Sequence, residues 1–190
     1  MTMLSKRKNV FVLIGPKGSG KTHIGLLLEK ECGLRFLNVE KMGLQNIPKS
    51  KLTGESLIQE SFHFEESEID RILLIEKGIS FENTGAHEYF YVVLNRLREK
   101  YTVHLIKIFS PLNTCFFRIK TREASAHIPV SDEMIKSINA QAEKIDLEWS
   151  LILDNSNQLA DTEIVSQYRK LLQKKLCLKS SPRSTPGQTR

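Results

Sequence analysis

The sequence has few cysteines, one tryptophan and only short apolar runs near its start. The three cysteines among 190 residues, Cys32, Cys115 and Cys177, are widely spaced. Because they form no metal-ligand pattern, we expect reduced thiols and neither a disulfide framework nor a metal site. The apolar run Val10 to Ile14 is too short for the apolar region of a signal peptide or for a membrane span. These features predict a cytoplasmic protein with no membrane partner.

Most of the chain also lacks an excess of charge of either sign. Its net charge of +6 comes from a C-terminal segment without acidic residues, which holds six of the 28 bases: Lys170, Lys174, Lys175, Lys179, Arg183 and Arg190. The other 22 bases equal the 22 acids in number. A neutral body offers no continuous track for a nucleic-acid backbone, which makes a nucleic-acid partner unlikely. We expect one domain over residues 1–175 and a basic disordered tail over 176–190 that is either solvated or in weak contact with a polyanion.

One glycine-rich motif stands out near the N-terminus. The apolar run Val10 to Ile14 is followed by "GPKGSGKT", residues 15–22, and then by apolar residues at helical spacing. Glycines allow the backbone to curl so that its N–H groups point at phosphates, and the following helix adds its positive end. In this motif the lysine reaches the β- and γ-phosphates and the hydroxyl binds Mg²⁺. The sequence therefore predicts an ATP and Mg²⁺ site in which Lys21 binds phosphate and Thr22 ligates the metal.

The other residues of this loop are predicted to bind the nucleotide mainly through their backbone. They are Gly15, Pro16, Lys17, Gly18, Ser19 and Gly20. Lys17 has two interpretations, because its side chain is either solvated or a second cation near the phosphates.

Strand-like and helix-like segments alternate along the rest of the chain. "LRFLNVE", ending at Glu40, "YTVHLIKIFS" and "WSLILDN" are predicted strands, and helices are expected at about 54–76, 86–100, 111–123, 131–147 and 160–175. This alternation predicts an α/β fold with a parallel sheet between helices on both faces. Ligands bind at the carboxyl ends of such strands, which is where catalytic residues are expected.

Two acids in "EKGISFENTG", residues 76–85, are candidates for the position beside the phosphates: Glu76 and Glu82. A strand over "RILLIE" would favour Glu76 but would leave the apolar Ile79 and Phe81 in a loop. A helix that ends with Gly78 as its cap, followed by a strand over "ISFEN", places both apolar residues in a buried strand. Glu82 then lies at the end of a central strand facing the phosphate loop. We expect Glu82 to help organise Mg²⁺, although a carboxylate that caps the next helix remains the alternative.

Together these residues resemble the P-loop kinases that act on small molecules and nucleoside monophosphates, with shikimate kinase as the nearest pattern. The resemblance covers about residues 8–160 and rests on the phosphate loop, the acid near the end of the second strand, "FHFEESEIDRILLIEKGISFENTG" and a basic segment at about 115–132. It implies a P-loop NTPase three-layer α/β/α sandwich with a five-stranded sheet. It also implies a substrate segment after the second strand and a mobile lid that closes over ATP.

The sequence departs from shikimate kinases at three places. Asn38 and Glu40 stand where those enzymes have Asp-x-Asp, His63 replaces the arginine after Phe62, and "ENTGA" replaces a glycine triplet. Loss of the arginine that clamps the substrate carboxylate argues against shikimate as the acceptor. Glu82 resembles the acid that ATPase-like kinases use for Mg²⁺ or its waters.

The resemblance also implies roles for residues outside the phosphate loop. Arg118 and Arg122 are four residues apart, so a helix would project both from one face, where they could reach the charge that develops on the transferred phosphoryl group. A solvated helix face is the alternative. Glu40 is the candidate for orienting the acceptor hydroxyl, although a polar residue that starts the next loop is the alternative. Asp154 and Asn155 follow the last strand, where such folds hold the adenine ring, although a simple turn is the alternative.

Two classes of function are consistent with this sequence. The first is a kinase that transfers the γ-phosphate of ATP to a small-molecule or nucleotide acceptor, with a polynucleotide 5′-hydroxyl kinase as a variant. The second is an ATP-binding regulatory or interaction protein with little phosphotransfer. A GTPase is less consistent, because no Asn-Lys-x-Asp motif is present.

Overall fold

The computed structural model describes residues 7–46, 52–121 and 131–177. A five-stranded, entirely parallel sheet in the order β2-β3-β1-β4-β5 forms the centre of the fold. The strands are β1 (Asn9–Ile14), β2 (Arg35–Leu37), β3 (Gly78–Asn83), β4 (Thr102–Phe109) and β5 (Leu151–Asp154). Because β1 is central, the segment that follows it lies between the carboxyl ends of β3 and β4.

Seven helices are present among the described residues. They are α1 (Lys21–Cys32), α2 (Val39–Asn46), α3 (Gly54–Ile75), α4 (Glu88–Lys100), α5 (Leu112–Lys120), α6 (Asp132–Glu143) and α7 (Asp161–Cys177). None of the helices within these described ranges is both long and apolar enough to cross a membrane.

Helices cover both faces of the sheet and create two apolar cores. On one face, Val10, Val12 and Ile14 of β1 pack with residues of α3, α4 and α6. On the other face, Phe11 and Leu13 pack with residues of α1 and α7. Side chains alternate across a strand, so β1 supplies both cores and is buried on both faces. This explains why β1 is apolar without interruption, and the predicted α/β/α sandwich with five parallel strands is confirmed.

The structure confirms the predicted position of β3 but corrects how α3 ends. β3 pairs with β1 in parallel, with Leu13 opposite Glu82. The helix cap is Glu76 in an extended conformation, whereas Gly78 is already the first residue of β3. The prediction that Gly78 caps the helix was therefore wrong. No left-handed residue is needed here, because the chain turns directly from helix into extended backbone.

The second strand is shorter than predicted, and a helix follows it at once. β2 ends at Leu37, and Asn38 caps the next helix by accepting a 2.8 Å hydrogen bond from the Lys41 N–H. Asparagine is favoured at this position because its side chain satisfies an otherwise unpaired N–H of the first turn. Glu40 consequently lies in the first turn of α2 and not at the end of a strand.

Candidate active site

The glycine-rich segment forms a loop between β1 and α1, as the sequence predicted. Gly18 and Gly20 have φ angles of 85° and 102°, in the left-handed region that residues with a Cβ avoid. A Cβ on Gly18 would lie 2.3 Å from the carbonyl oxygen of Cys115 in α5. The loop is therefore curled and also tightly enclosed, so both glycines are required by its geometry.

Asn155 contacts this loop at Ser19 and Gly20. Its Nδ2 donates a 2.7 Å hydrogen bond to the carbonyl oxygen of Ser19, and its Oδ1 accepts one from the Leu159 N–H at 2.9 Å. A Cβ on Gly20 would approach Asn155 Nδ2 to 2.3 Å. Asn155 is thus in direct contact with the phosphate loop. Its neighbour Asp154 is exposed and accepts hydrogen bonds from Ser156, in the manner of a turn.

Lys21 is buried and its ammonium group turns back onto the loop. Its Nζ donates 2.8 Å hydrogen bonds to the carbonyl oxygens of Gly15 and Pro16. Burial lowers the pKa of Lys21 to about 8, and the nearby Glu82 partly opposes this change. An ammonium group that is desolvated and bound only to neutral carbonyls would form stronger, charge-assisted hydrogen bonds with a phosphate.

Glu82 contacts the same loop from β3. The Thr22 hydroxyl donates a 2.8 Å hydrogen bond to Glu82 Oε2, which joins the first turn of α1 to the adjacent strand. Burial raises the pKa of Glu82, while Lys21 and the Thr22 hydrogen bond favour its charged form. The other acid considered, Glu76, is exposed at the end of α3. Of the two acids in "EKGISFENTG", only Glu82 therefore lies beside the phosphate loop.

Unpartnered atoms in this region fit a bound phosphate and metal. Ser19 Oγ and Glu82 Oε1 are buried and have no hydrogen-bond partner. Such atoms cost free energy unless a ligand or water binds them. Within residues 7–46, 52–121 and 131–177, no group of three or more His, Cys, Asp or Glu side chains could hold a metal. Mg²⁺ that keeps several waters and shares nucleotide phosphates needs only one or two protein ligands, which Thr22 and Glu82 would supply.

The Glu40 side chain contacts the phosphate loop, although Glu40 lies on α2 and not at the end of a strand as predicted. Glu40 Oε1 lies 3.0 Å from Lys17 Nζ, and both side chains are about three-quarters buried. The Lys17 side chain is therefore not fully solvated. Its ammonium group pairs with an acid, so it does not serve the phosphates alone. The pair connects the phosphate loop to the segment in which an acceptor site was expected.

Asn139 contacts the phosphate loop, which was not predicted from the sequence. It is buried in α6, where its Oδ1 accepts a 2.7 Å hydrogen bond from the Lys17 N–H and its Nδ2 donates a 3.0 Å bond to the Lys17 carbonyl. The flanking Ile135 and Ala142 are also buried, so Asn139 interrupts an apolar stripe. A polar residue within such a stripe was the available signal.

Arg118 lies where the ends of β4 and β5 meet. Its guanidinium donates hydrogen bonds to Ser110 Oγ at 3.2 Å and to the Asn155 carbonyl at 3.0 Å. Arg118 is thus brought close to the phosphate loop through Asn155. Arg122 and the middle of the predicted lid lie outside the described residues, whereas α5 and α6 flank that segment.

Comparisons with solved structures reveal the same fold in several kinases. No protein-family model matches the sequence, and no curated protein matches it. A sugar kinase from Janibacter sp. HTCC2649 is 17% identical, with a TM-score of 0.63 over 87% of this chain and 95% of the other. Shikimate kinase from Aquifex aeolicus is 18% identical, with a TM-score of 0.60 over 88% and 98%. The APS kinase CysC of Mycobacterium tuberculosis, in complex with AMPPNP and APS, is 12% identical, with a TM-score of 0.59 over 88% and 99%.

These similarities extend over nearly the whole of each solved structure, so they concern the complete architecture and not the phosphate loop alone. The chain therefore has the P-loop kinase fold.

Proposed function

We propose that this protein is an ATP-dependent phosphotransferase that uses Mg²⁺ and acts on a small-molecule or nucleotide acceptor. The observation that carries the proposal is the hydrogen bond between Thr22 and Glu82, beside the buried ammonium group of Lys21. This arrangement combines a hydroxyl, a carboxylate and a cation at one end of a phosphate loop. Phosphoryl transfer from a nucleotide needs these three groups in one place.

Three side chains at the phosphate loop have a defined task in this proposal. Lys21 exchanges the carbonyls of Gly15 and Pro16 for the β- and γ-phosphates. Thr22 and Glu82 hold Mg²⁺ or its waters. When bound, the metal neutralises charge on the phosphate oxygens. The left-handed φ angles of Gly18 and Gly20 hold the loop in a curled shape, which limits the reorganisation needed to bind the phosphates.

The acceptor side is assigned to α2, which follows the second strand. Oxygen of an acceptor hydroxyl bonds to the γ-phosphorus as the bond to the bridging oxygen breaks, which releases ADP. The hydroxyl proton passes to the carboxylate of Glu40, whose main task is to orient the hydroxyl, since this reaction needs little base strength. Its ion pair with Lys17 places Glu40 next to the phosphate loop. Arg118, and Arg122 from the lid segment, stabilise negative charge on the transferred group.

Solved structures with the same fold support this proposal at the level of the reaction. Their names describe kinases that act on sugars, shikimate and APS. The acceptors differ although the fold is shared, so the acceptor of this chain has to be derived from its own side chains.

The test is ATP consumption by the purified protein with Mg²⁺ and pooled acceptors. We expect turnover that depends on an acceptor and is lost in Lys21→Ala. Lys30→Ala is the matched control, because it makes the same change on an exposed part of α1. Tight binding of AMPPNP without turnover under any acceptor would reject the proposal in favour of an ATP-binding regulatory protein.

A further inference from the structure

A cleft lies between α6 and the carboxyl end of β4, beside the start of the phosphate loop. It holds about 380 Å³ of space, part of which is open to solvent. Ligand pockets in proteins have volumes of roughly 300–1,000 Å³, so this space is enough for a small molecule. We call it the α6–β4 cleft. Its lining includes the apolar side chains of Pro16, Phe109, Ala142 and Trp149 and the charged side chains of Lys107 and Glu143.

The α6–β4 cleft is separate from the proposed phosphotransfer site. Lys107 lies opposite Ile14 in the sheet, and Ile14 packs into the core that contains residues of α6. Glu82 lies opposite Leu13, which packs into the other core, with residues of α1. Because paired residues of a parallel sheet point to the same face, Lys107 and Glu82 are on opposite faces. The cleft contacts the first two residues of the phosphate loop, but no described side chain with a task in the proposed reaction lines it.

The face of the sheet beside the cleft is apolar and incompletely covered. Ile152 of β5 lies opposite Lys107, and 54% of its surface is exposed. Phe109, two residues after Lys107 on β4, is 38% exposed. Helices normally cover both faces of a parallel sheet. Apolar groups left in water at this place favour a ligand that covers them, because their transfer out of water is favourable.

Lys107 places a cation on this apolar face. It is the one charged residue of β4, it is half-buried, and its Nζ lies 5.4 Å from the centroid of the Trp149 ring. Within the part of the chain that the structure describes, no carboxylate forms an ion pair with it. Lysine is rarely taken out of water without an anionic partner, since a desolvated charge is costly. An anionic group in the cleft would supply that partner through a charge-assisted hydrogen bond.

The lining of the cleft indicates the charge and the shape of its ligand. One ammonium group matches one negative charge, and the exposed Glu143 would repel a more highly charged ligand such as a polyphosphate. Trp149 and Phe109 offer rings against which an aromatic ligand packs favourably. A monocarboxylate with one aromatic ring combines both features.

We propose that the α6–β4 cleft is a second ligand site, which binds a small aromatic monocarboxylate with its ring against Trp149 and Phe109 and its carboxylate on the Lys107 ammonium group. The inference does not rest on the proposed function, because binding here requires neither ATP nor phosphotransfer. A ligand at this position would contact Pro16, whose carbonyl oxygen accepts a hydrogen bond from Lys21. The two sites are therefore neighbours that share part of one loop.

The test is a fluorescence titration, because Trp149 is the single tryptophan of the chain and reports directly on the cleft. The probes are benzoate, benzyl alcohol, benzylamine and acetate, which vary the charge and the ring separately. We expect saturable binding of benzoate, about tenfold tighter than that of benzyl alcohol or acetate, since the charge-assisted hydrogen bond and the packed ring each contribute to it. Benzylamine should bind more weakly than benzyl alcohol. Calorimetry with the same compounds detects any binding that leaves the fluorescence unchanged.

The proposal is overturned if benzoate shows no saturable binding by either method. Equal affinities for benzoate and benzyl alcohol would also overturn it, because the Lys107 charge would then play no part. Equal affinities for benzoate and acetate would exclude a role for the ring.

Variants of Lys107 separate a specific contact from the general attraction of anions to a basic protein. Lys107→Met keeps the length of the side chain and removes its charge, so it should weaken benzoate binding about tenfold and leave benzyl alcohol binding unchanged. Lys107→Arg keeps the charge and should retain most of the benzoate affinity. Lys136→Met is the matched control, because it also removes a cation 5.4 Å from the centroid of an aromatic ring, that of Phe116, which does not line the cleft. It should leave the affinity for benzoate unchanged.

Two results with these variants would refute the site. One is full benzoate affinity in Lys107→Met, and the other is an equal loss of affinity in Lys107→Met and Lys136→Met. Should Lys107→Met fail to fold, the comparison of benzoate with benzyl alcohol on the parent protein still decides.

Discussion

Thr22 and Glu82 are 60 positions apart in the sequence, yet the Thr22 hydroxyl donates a 2.8 Å hydrogen bond to Glu82 Oε2. The contact follows from the topology, because β3 is the neighbour of β1 and the two strands run in parallel. Their carboxyl ends meet at one edge of the sheet, where the phosphate loop begins. A hydroxyl and an acid that already touch need little movement to hold one hydrated metal ion.

Removal of the Thr22 hydroxyl should uncouple nucleotide binding from Mg²⁺. In Thr22→Val the metal loses a ligand and Glu82 Oε2 loses its donor, so Mg²⁺ should no longer strengthen AMPPNP binding. The parent protein should bind AMPPNP about tenfold more tightly with Mg²⁺ than with EDTA, as expected for one charge-assisted contact. Calorimetric titration measures both affinities.

Thr22→Ser is the matched control, because it keeps the hydroxyl and removes only a methyl group. It should retain most of the Mg²⁺ effect. An equal effect of Mg²⁺ on Thr22→Val and on the parent protein would argue that neither Thr22 nor its bond to Glu82 is involved in metal binding.

Asn139 should stabilise both the phosphate loop and the fold. Asn139→Ala removes two hydrogen bonds to Lys17 and leaves backbone groups without partners, which should cost about 1–3 kcal/mol of unfolding free energy. Denaturant unfolding measures this loss. Gln141→Ala on the exposed side of the same helix is the control and should change stability by less than about 0.5 kcal/mol. Equal stability of the two variants would contradict the structural role of Asn139.

The phosphate loop and its flanks were predictable because the motif specifies local geometry, and β3 was predictable from its apolar pattern. α2 was missed because "LRFLNVE" is apolar enough to suggest one continuous strand. The Asn38 side chain caps a helix and so ends that strand. This signal is a single residue, and the apolar pattern around it favours a longer strand. Asn139 was missed for a different reason. It is a single polar residue in an apolar stripe, and its hydrogen bonds are with Lys17, 122 positions away in the sequence.

Lys17 and Glu40 should be coupled, but only weakly. Their ion pair has an N–O distance of 3.0 Å and is partly accessible to water, so a double-mutant cycle with Lys17→Gln and Glu40→Gln should give a coupling of about 0.5–1 kcal/mol in unfolding free energy. Additive effects would show that the pair adds nothing to stability.

Glu40 should matter more for turnover than for stability. If it orients the acceptor hydroxyl, Glu40→Gln should lower acceptor-dependent kcat about tenfold or more, within the range of acid–base and positioning effects, while AMPPNP binding stays unchanged. Steady-state kinetics together with calorimetry check this. A loss of AMPPNP affinity equal to the loss of kcat would instead assign Glu40 to support of the phosphate loop through Lys17.

Glu65 should make the protein less stable as the pH rises from about 4.5 to about 8. Its pKa is about 8 in the folded protein and near 4.5 when unfolded, so between these values the folded state holds a proton that the unfolded state has lost. The free energy of unfolding then falls with pH by up to about 1.4 kcal/mol per pH unit. Lys21, whose pKa is about 8 in the folded protein, gives the opposite slope only above that pH.

The comparison between Glu65→Gln and the parent protein isolates this contribution. Glutamine keeps the shape but cannot ionise, so its stability relative to the parent should increase steadily from pH 5 to pH 8 in denaturant unfolding. Glu68→Gln on the same helix is the control. Its hydrogen bonds with Arg71 lower the pKa of Glu68, so that this carboxyl is ionised throughout the range and the difference should stay constant. A constant difference for Glu65→Gln as well would mean that Glu65 is ionised in the folded protein, with Glu82 as its protonated neighbour.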